Sequence, residues 1–274
     1  MTNKRDKGKD VPRPVTVTYR VWPSAAEVTA AAAEWFASSA AAAAEARGLA
    51  RVAVSGGNTP RGMFALLADR SAPYFARVPW EKLHLFWVDE RCVPPTDAES
   101  NYRMTNEAML AHVPLPAGQI HRMEGELDPE VAASRYEATI RSSLRLEGAE
   151  TPAFDLVLLG MGDDGHTASL FPHTQALHEL GRLVVANHVP QKEAWRITLT
   201  WPVINAAREV AILIEGAEKA PVLESVFLGA YDPEAKPSQL IRPASGRLTL
   251  LLDEAAAAKL PVPGADGVGT MELA

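Results

Sequence analysis

The sequence predicts an α/β fold, a doubly wound and mostly parallel sheet with helices on both faces. Three observations carry that reading. Short apolar runs recur along the 274 residues, as strands buried on both faces do. Helical patterns lie between most of them. No linker rich in Pro, Gly or Ser and no repeat of fixed period interrupts the middle, so residues 15–274 are expected to form a single α/β domain.

Residues 1–14 are charged, contain Pro and lack the apolar core of a secretory signal; they read as a disordered tail. The stretch 15–21 alternates apolar and polar residues as a strand does, and the Ala-rich stretch 24–47 follows as a helix with Ser24 as its N-cap. Further strands are expected over 51–54, 83–88, 154–159, 183–187, 197–199 and 210–214, and helices over 59–69, 100–112, 129–146 and 218–228. Six tryptophans lie mainly beside apolar runs and read as packing residues.

Bulk properties exclude several functions. The net charge of −7 argues against a nucleic-acid surface, which needs a basic face. The apolar stretch 30–44 owes its score to alanine and is broken by Glu34, Ser38 and Ser39, too weak to span a bilayer, so no membrane partner is expected. A lone cysteine, Cys92, rules out an internal disulfide framework and makes the cytoplasm the default location. An anionic ligand would need a locally positive pocket on this acidic chain.

In doubly wound sheets ligands bind beyond the carboxyl ends of the strands, which points to the loops after residues 54, 88, 159 and 214. The first holds Ser55, Gly56, Gly57, Asn58, Thr59 and Pro60 before a helix. This is either a phosphate cradle of main-chain N–H groups and hydroxyls, with Pro60 at the first helical position, or a tight turn capped by Thr59. The second reads Asp89, Glu90, Arg91; Arg91 is either half of a surface ion pair or a guanidinium for a carboxylate-like or phosphate oxygen.

The third loop is the most informative. Gly160, Gly162 and Gly165 permit a cramped backbone, and His166 follows Asp163 and Asp164. Placed at or near a helix start, His166 would be kept neutral by the helix dipole and suit a general base, with Asp164 orienting it or the attacking water. The other histidines read as structural. Arg196 at a strand start and Lys219 in a first helical turn are either solvated charges or anion ligands.

Taken together the segments SGGNTP (55–60), DERCVPPTDAESNYRM (89–104), DLVLLGMGDDGHTASLFP (155–172), RITLT (196–200) and EGAEKA (215–220) resemble the glucosamine-6-phosphate isomerase/6-phosphogluconolactonase family, its lactonase branch in particular. The resemblance runs from about residue 15 to about 260. It implies a Rossmann-like sheet, no cofactor, and hydrolysis of a 6-phosphorylated sugar lactone to 6-phosphogluconate, the second step of the oxidative pentose phosphate route; no metal and a monomer or weak homodimer are expected. It makes His166 the water-activating base with Asp164 in support, Arg91 a substrate-binding cation, and Ser55 to Thr59 with Arg196 and Lys219 the phosphate ligands. Deaminases that share this fold need a further acid shortly after the histidine, and 167–172 holds no carboxylate. A non-catalytic sugar-phosphate sensor would need a DNA-binding segment that the first 14 residues are too short to supply.

Overall fold

The computed structural model describes residues 14–273 except 149 and 245; the tail expected at 1–14 lies, Pro14 apart, outside the described residues. Strand β1 (Val15–Trp22) feeds α1 (Ala25–Arg47), which Ser24 caps by accepting the Glu27 N–H and which Gly48 ends at φ 81°. There follow β2 (Ala50–Val54), α2 (Asn58–Ala68), β3 (Leu83–Trp87), β4 (Asp89–Arg91), α3 (Asn101–Ala108), β5 (Ile120–His121), α4 (Pro129–Leu144) and β6 (Leu156–Gly160). The chain closes with β7 (Val184–Val189), β8 (Ala194–Leu199), α5 (Trp201–Asn205), β9 (Glu209–Ile214), α6 (Ala220–Phe227), β10 (Arg247–Asp253), α7 (Glu254–Ala257) and β11 (Val268–Leu273).

Eight strands form one sheet in the order β11-β1-β10-β9-β6-β2-β3-β5, parallel except for the pairing of β1 with β11. Successive residues of its central strands serve opposite cores. Val157 and Leu159 of β6 and Val210, Ile212 and Ile214 of β9 pack toward α4 and α6, whereas Leu156, Leu158, Ala211 and Leu213 pack toward α1 and α2. That two-sided burial is why these strands read as unbroken apolar runs.

The runs at 183–187 and 197–199 do not join this sheet. Only Pro190–Lys192 and Glu193 connect them, too few residues for a parallel crossover, and they pair as a hairpin within a separate antiparallel sheet of order β4-β8-β7. Val88 passes the chain between the two sheets: its N–H donates to the Val54 carbonyl at 3.0 Å and its carbonyl accepts from Leu199 at 2.8 Å. Among the described residues, no helix is long and apolar enough to cross a membrane.

Candidate active site

The carboxyl ends of the parallel strands and the edge of the small sheet enclose a cleft of about 730 Å³. All four loops singled out in the sequence contribute to it, and Ser55, Gly56, Gly57, Asn58, Thr59, Arg91, His166, Arg196 and Lys219 line it. Asp164 reaches the cleft only through its bond to His166.

The Ser55 N–H and hydroxyl both donate to the Leu158 carbonyl, at 3.0 and 3.1 Å, so that hydroxyl is spent inside the sheet. A Cβ on Gly56 would overlap the Asn101 side chain, and Gly57 sits at φ 119°, a conformation that favours glycine. Gly57 is the N-cap of α2 and no side chain caps that helix, so its first N–H groups face the cleft region uncapped, an arrangement that suits an anion. Two details differ from expectation. Pro60 is the third residue of α2, and Thr59 is no cap: its hydroxyl donates to Glu215 Oε2 at 2.9 Å.

Arg91 and Arg196 are directly opposed cross-strand partners of β4 and β8. Like charges so placed repel. Burial, and then the Arg91 charge, hold the Arg196 guanidinium below its ordinary value. Arg91 donates to the Glu99 carbonyl at 2.5 Å and Arg196 to the Trp195 carbonyl at 3.3 Å; neither forms an ion pair among the described residues. An anion between them would relieve the repulsion. Lys219 directly precedes α6 instead of lying within its first turn, and its ammonium donates to the Met161 carbonyl at 3.0 Å and to Asp163 Oδ1. That pairing, rather than a helix dipole, is the local answer to its charge.

Glu90 is a structural anchor. Its carboxylate is 2 % exposed and accepts the N–H groups of Arg91, Asn101 and Tyr102 and the Ser100 hydroxyl, tying β4 to the first turn of α3. Burial raises it above the usual carboxylate range despite those donors. Burial likewise pushes the Cys92 thiol up to about 11, against the pull of Arg196, which disfavours its thiolate.

His166 starts no helix. The chain after it turns through a Thr167–Leu170 bridge, with Ala168 at φ 49°, so no helix dipole acts on the imidazole. Three contacts fix it instead. Nδ1 lies 2.5 Å from Asp164 Oδ1, the ring stacks on Phe171 with centroids 3.9 Å apart, and a Cβ on Gly162 would overlap the ring. Since a carboxylate can only accept, the bond to Asp164 puts the proton on Nδ1 and leaves Nε2 as the basic nitrogen. Burial pushes the Asp164 carboxyl up, but its hydrogen bond from the His166 side chain, the imidazole charge and the His166 N–H outweigh this and hold it below the usual range.

Several lining residues escape the sequence reading. Lys192 sits on the turn between β7 and β8, and nothing in its neighbourhood marks it as a site residue. Asp89, Asn101 and Ser169 form a buried polar cluster: Ser169 Oγ donates to Asp89 Oδ2 at 2.7 Å and Asn101 Nδ2 to the Asp89 carbonyl at 3.0 Å. The adjacency of Asp89 to Arg91 was the available signal. Among the described residues no three His, Cys, Asp or Glu side chains assemble as metal ligands.

A family model described as glucosamine-6-phosphate isomerases/6-phosphogluconolactonase matches residues 23–250. The 6-phosphogluconolactonase of a Synechocystis strain is 43 % identical over 215 residues, covering 78 % of this chain and 86 % of the relative. A solved 6-phosphogluconolactonase from Trypanosoma cruzi superposes with a TM-score of 0.75 at 31 % identity, covering 88 % of this chain and 96 % of that one. A monomeric glucosamine-6-phosphate deaminase shares the fold at 19 % identity and a TM-score of 0.71, over 88 % of this chain and 99 % of its own.

Proposed function

Because the chain belongs to the glucosamine-6-phosphate isomerase/6-phosphogluconolactonase family, we propose that it hydrolyses 6-phospho-D-glucono-1,5-lactone to 6-phosphogluconate with His166 as general base. One observation carries the choice of base: His166, its Nδ1 engaged by Asp164, lines the same cleft as the uncapped start of α2 and the Arg91–Arg196 pair. Nε2 takes a proton from water as the water oxygen bonds to the lactone carbonyl carbon. Arg91 or main-chain N–H groups meet the resulting oxyanion. The carbon–ring-oxygen bond then breaks, and the imidazolium returns its proton to that oxygen, leaving the acid and a free hydroxyl. Asp164 holds the ring and its tautomer and stabilises the imidazolium. Main chain of Ser55 to Thr59, with Arg196 and Lys219, holds the phosphate. No cofactor enters these steps.

A lactone opens slowly in water unaided, so the enzyme's contribution is read as the excess over that background. The test generates the lactone in place from glucose 6-phosphate and subtracts spontaneous hydrolysis. Acceleration by the wild type carries the proposal. No acceleration, or release of ammonia from glucosamine 6-phosphate, contradicts it.

A further inference from the structure

Glu215 follows the last residue of β9 and lines the cleft beside Thr59. Each of its oxygens receives a threonine hydroxyl: Oε1 from Thr29 of α1 at 3.1 Å, Oε2 from Thr59 of α2 at 2.9 Å. A carboxylate only accepts and a hydroxyl carries one proton, so both protons point at Glu215. Thr59 therefore offers the cleft an oxygen with lone pairs alone. It has no proton left to donate to a phosphate, and the donors remaining at that end of the loop are the main-chain N–H groups that open α2. The nearby carboxylate of Asp253 is engaged by the N–H groups of Gly216 and Ala256, and Lys219 is shared with Asp163, so Glu215 sets a negative charge against the cradle with no cation bonded to it among the described residues.

Resting on the reading that this loop holds the substrate phosphate, we propose that Glu215 is a positioning residue that turns the Thr59 hydroxyl into an acceptor and holds down the loop's affinity for phosphorylated ligands. Substrate and product of the proposed reaction carry the same phosphate. Binding that group equally tightly in both lowers KM without raising kcat, and it retards product departure. A carboxylate at the cradle limits such affinity and leaves the N–H groups of α2 in place.

The experiment titrates inorganic phosphate directly into the full chain, followed by phosphorus NMR, so it does not depend on turnover. Glu215→Gln removes the charge at nearly constant shape, and its amide must donate to one of the two threonines. The expected result is a dissociation constant for phosphate about tenfold lower, with KM for the lactone falling in the same sense and kcat not rising. Phosphate binding unchanged within twofold, or weakened, overturns the proposal. Should that variant fail to fold, Thr59→Val decides. A loss of phosphate affinity below threefold agrees with an acceptor hydroxyl, and a loss of tenfold or more shows that it donates. Phosphate that binds neither wild type nor variant overturns the proposal together with the phosphate role of the loop, while leaving the lactonase reading to its own assay.

Discussion

Arg91 and Arg196 face each other in register across β4 and β8, 105 positions apart in sequence and adjacent on the wall of one cleft. Two guanidiniums so placed are unfavourable without an anion between them, and one of them is already held below its ordinary value by burial and by the other's charge.

Replacing Arg196 with Ala should therefore stabilise the empty protein slightly, or leave it unchanged, while raising KM for the phosphorylated lactone by about 10- to 100-fold. Steady-state kinetics beside a thermal melt checks this. A KM within twofold of wild type contradicts a role for the pair in holding the substrate.

Gly162→Ala should cost activity without unfolding the chain, because the added methyl meets the His166 ring and not the core. A kcat at least tenfold lower with a melting temperature within a few degrees is the expected outcome. Full activity would mean that the ring is free to take another position.

The Asp164 carboxyl titrates below its ordinary value of 3.8, because its bonds from His166 outweigh burial. Its folded-state value is thus depressed, so its contribution to stability is present above 3.8 and is lost as pH falls through the lower folded value. The melting-temperature difference between wild type and Asp164→Asn should accordingly be constant near neutrality and vanish in acid. The same variant should lose about 10- to 100-fold in kcat, since an amide holds the Nδ1–H tautomer less firmly than a carboxylate. A difference that grows in acid would give the sign the wrong way round.

Glu90→Gln should destabilise the protein by about 1–3 kcal/mol, because an amide nitrogen in place of one oxygen leaves buried N–H or hydroxyl donors without an acceptor. Burial works against this: it raises the carboxyl, so ionisation costs stability as pH rises from 4.5 through the folded value. Three main-chain donors with nowhere else to go outweigh that relief. Chemical denaturation of the two proteins near neutral pH measures the balance.

What the sequence discloses follows from how local each feature is. The His166–Asp164 pair was legible because the two residues are neighbours, and the strands 154–159 and 210–214 because burial on both faces writes continuous apolar runs. The helix expected at His166 is absent: Ala168 at φ 49° and the Thr167–Leu170 bridge keep the chain in a turn, and the next helical turn begins at Gln175. The opposition of Arg91 to Arg196, the bond from Thr59 to Glu215 and the pairing of β8 with β4 depend on register between distant segments, which no local pattern encodes. Glu90 shows the same limit, since its partners lie up to 12 residues onward in α3.

The role of His166 as the base is decided by the lactonase rates of wild type and His166→Ala, measured on freshly generated 6-phosphogluconolactone after subtraction of spontaneous hydrolysis. The expected result is a wild-type acceleration of which the variant keeps one hundredth or less, on the order of the 10²- to 10⁴-fold that a general base contributes. A variant within threefold of wild type would contradict it.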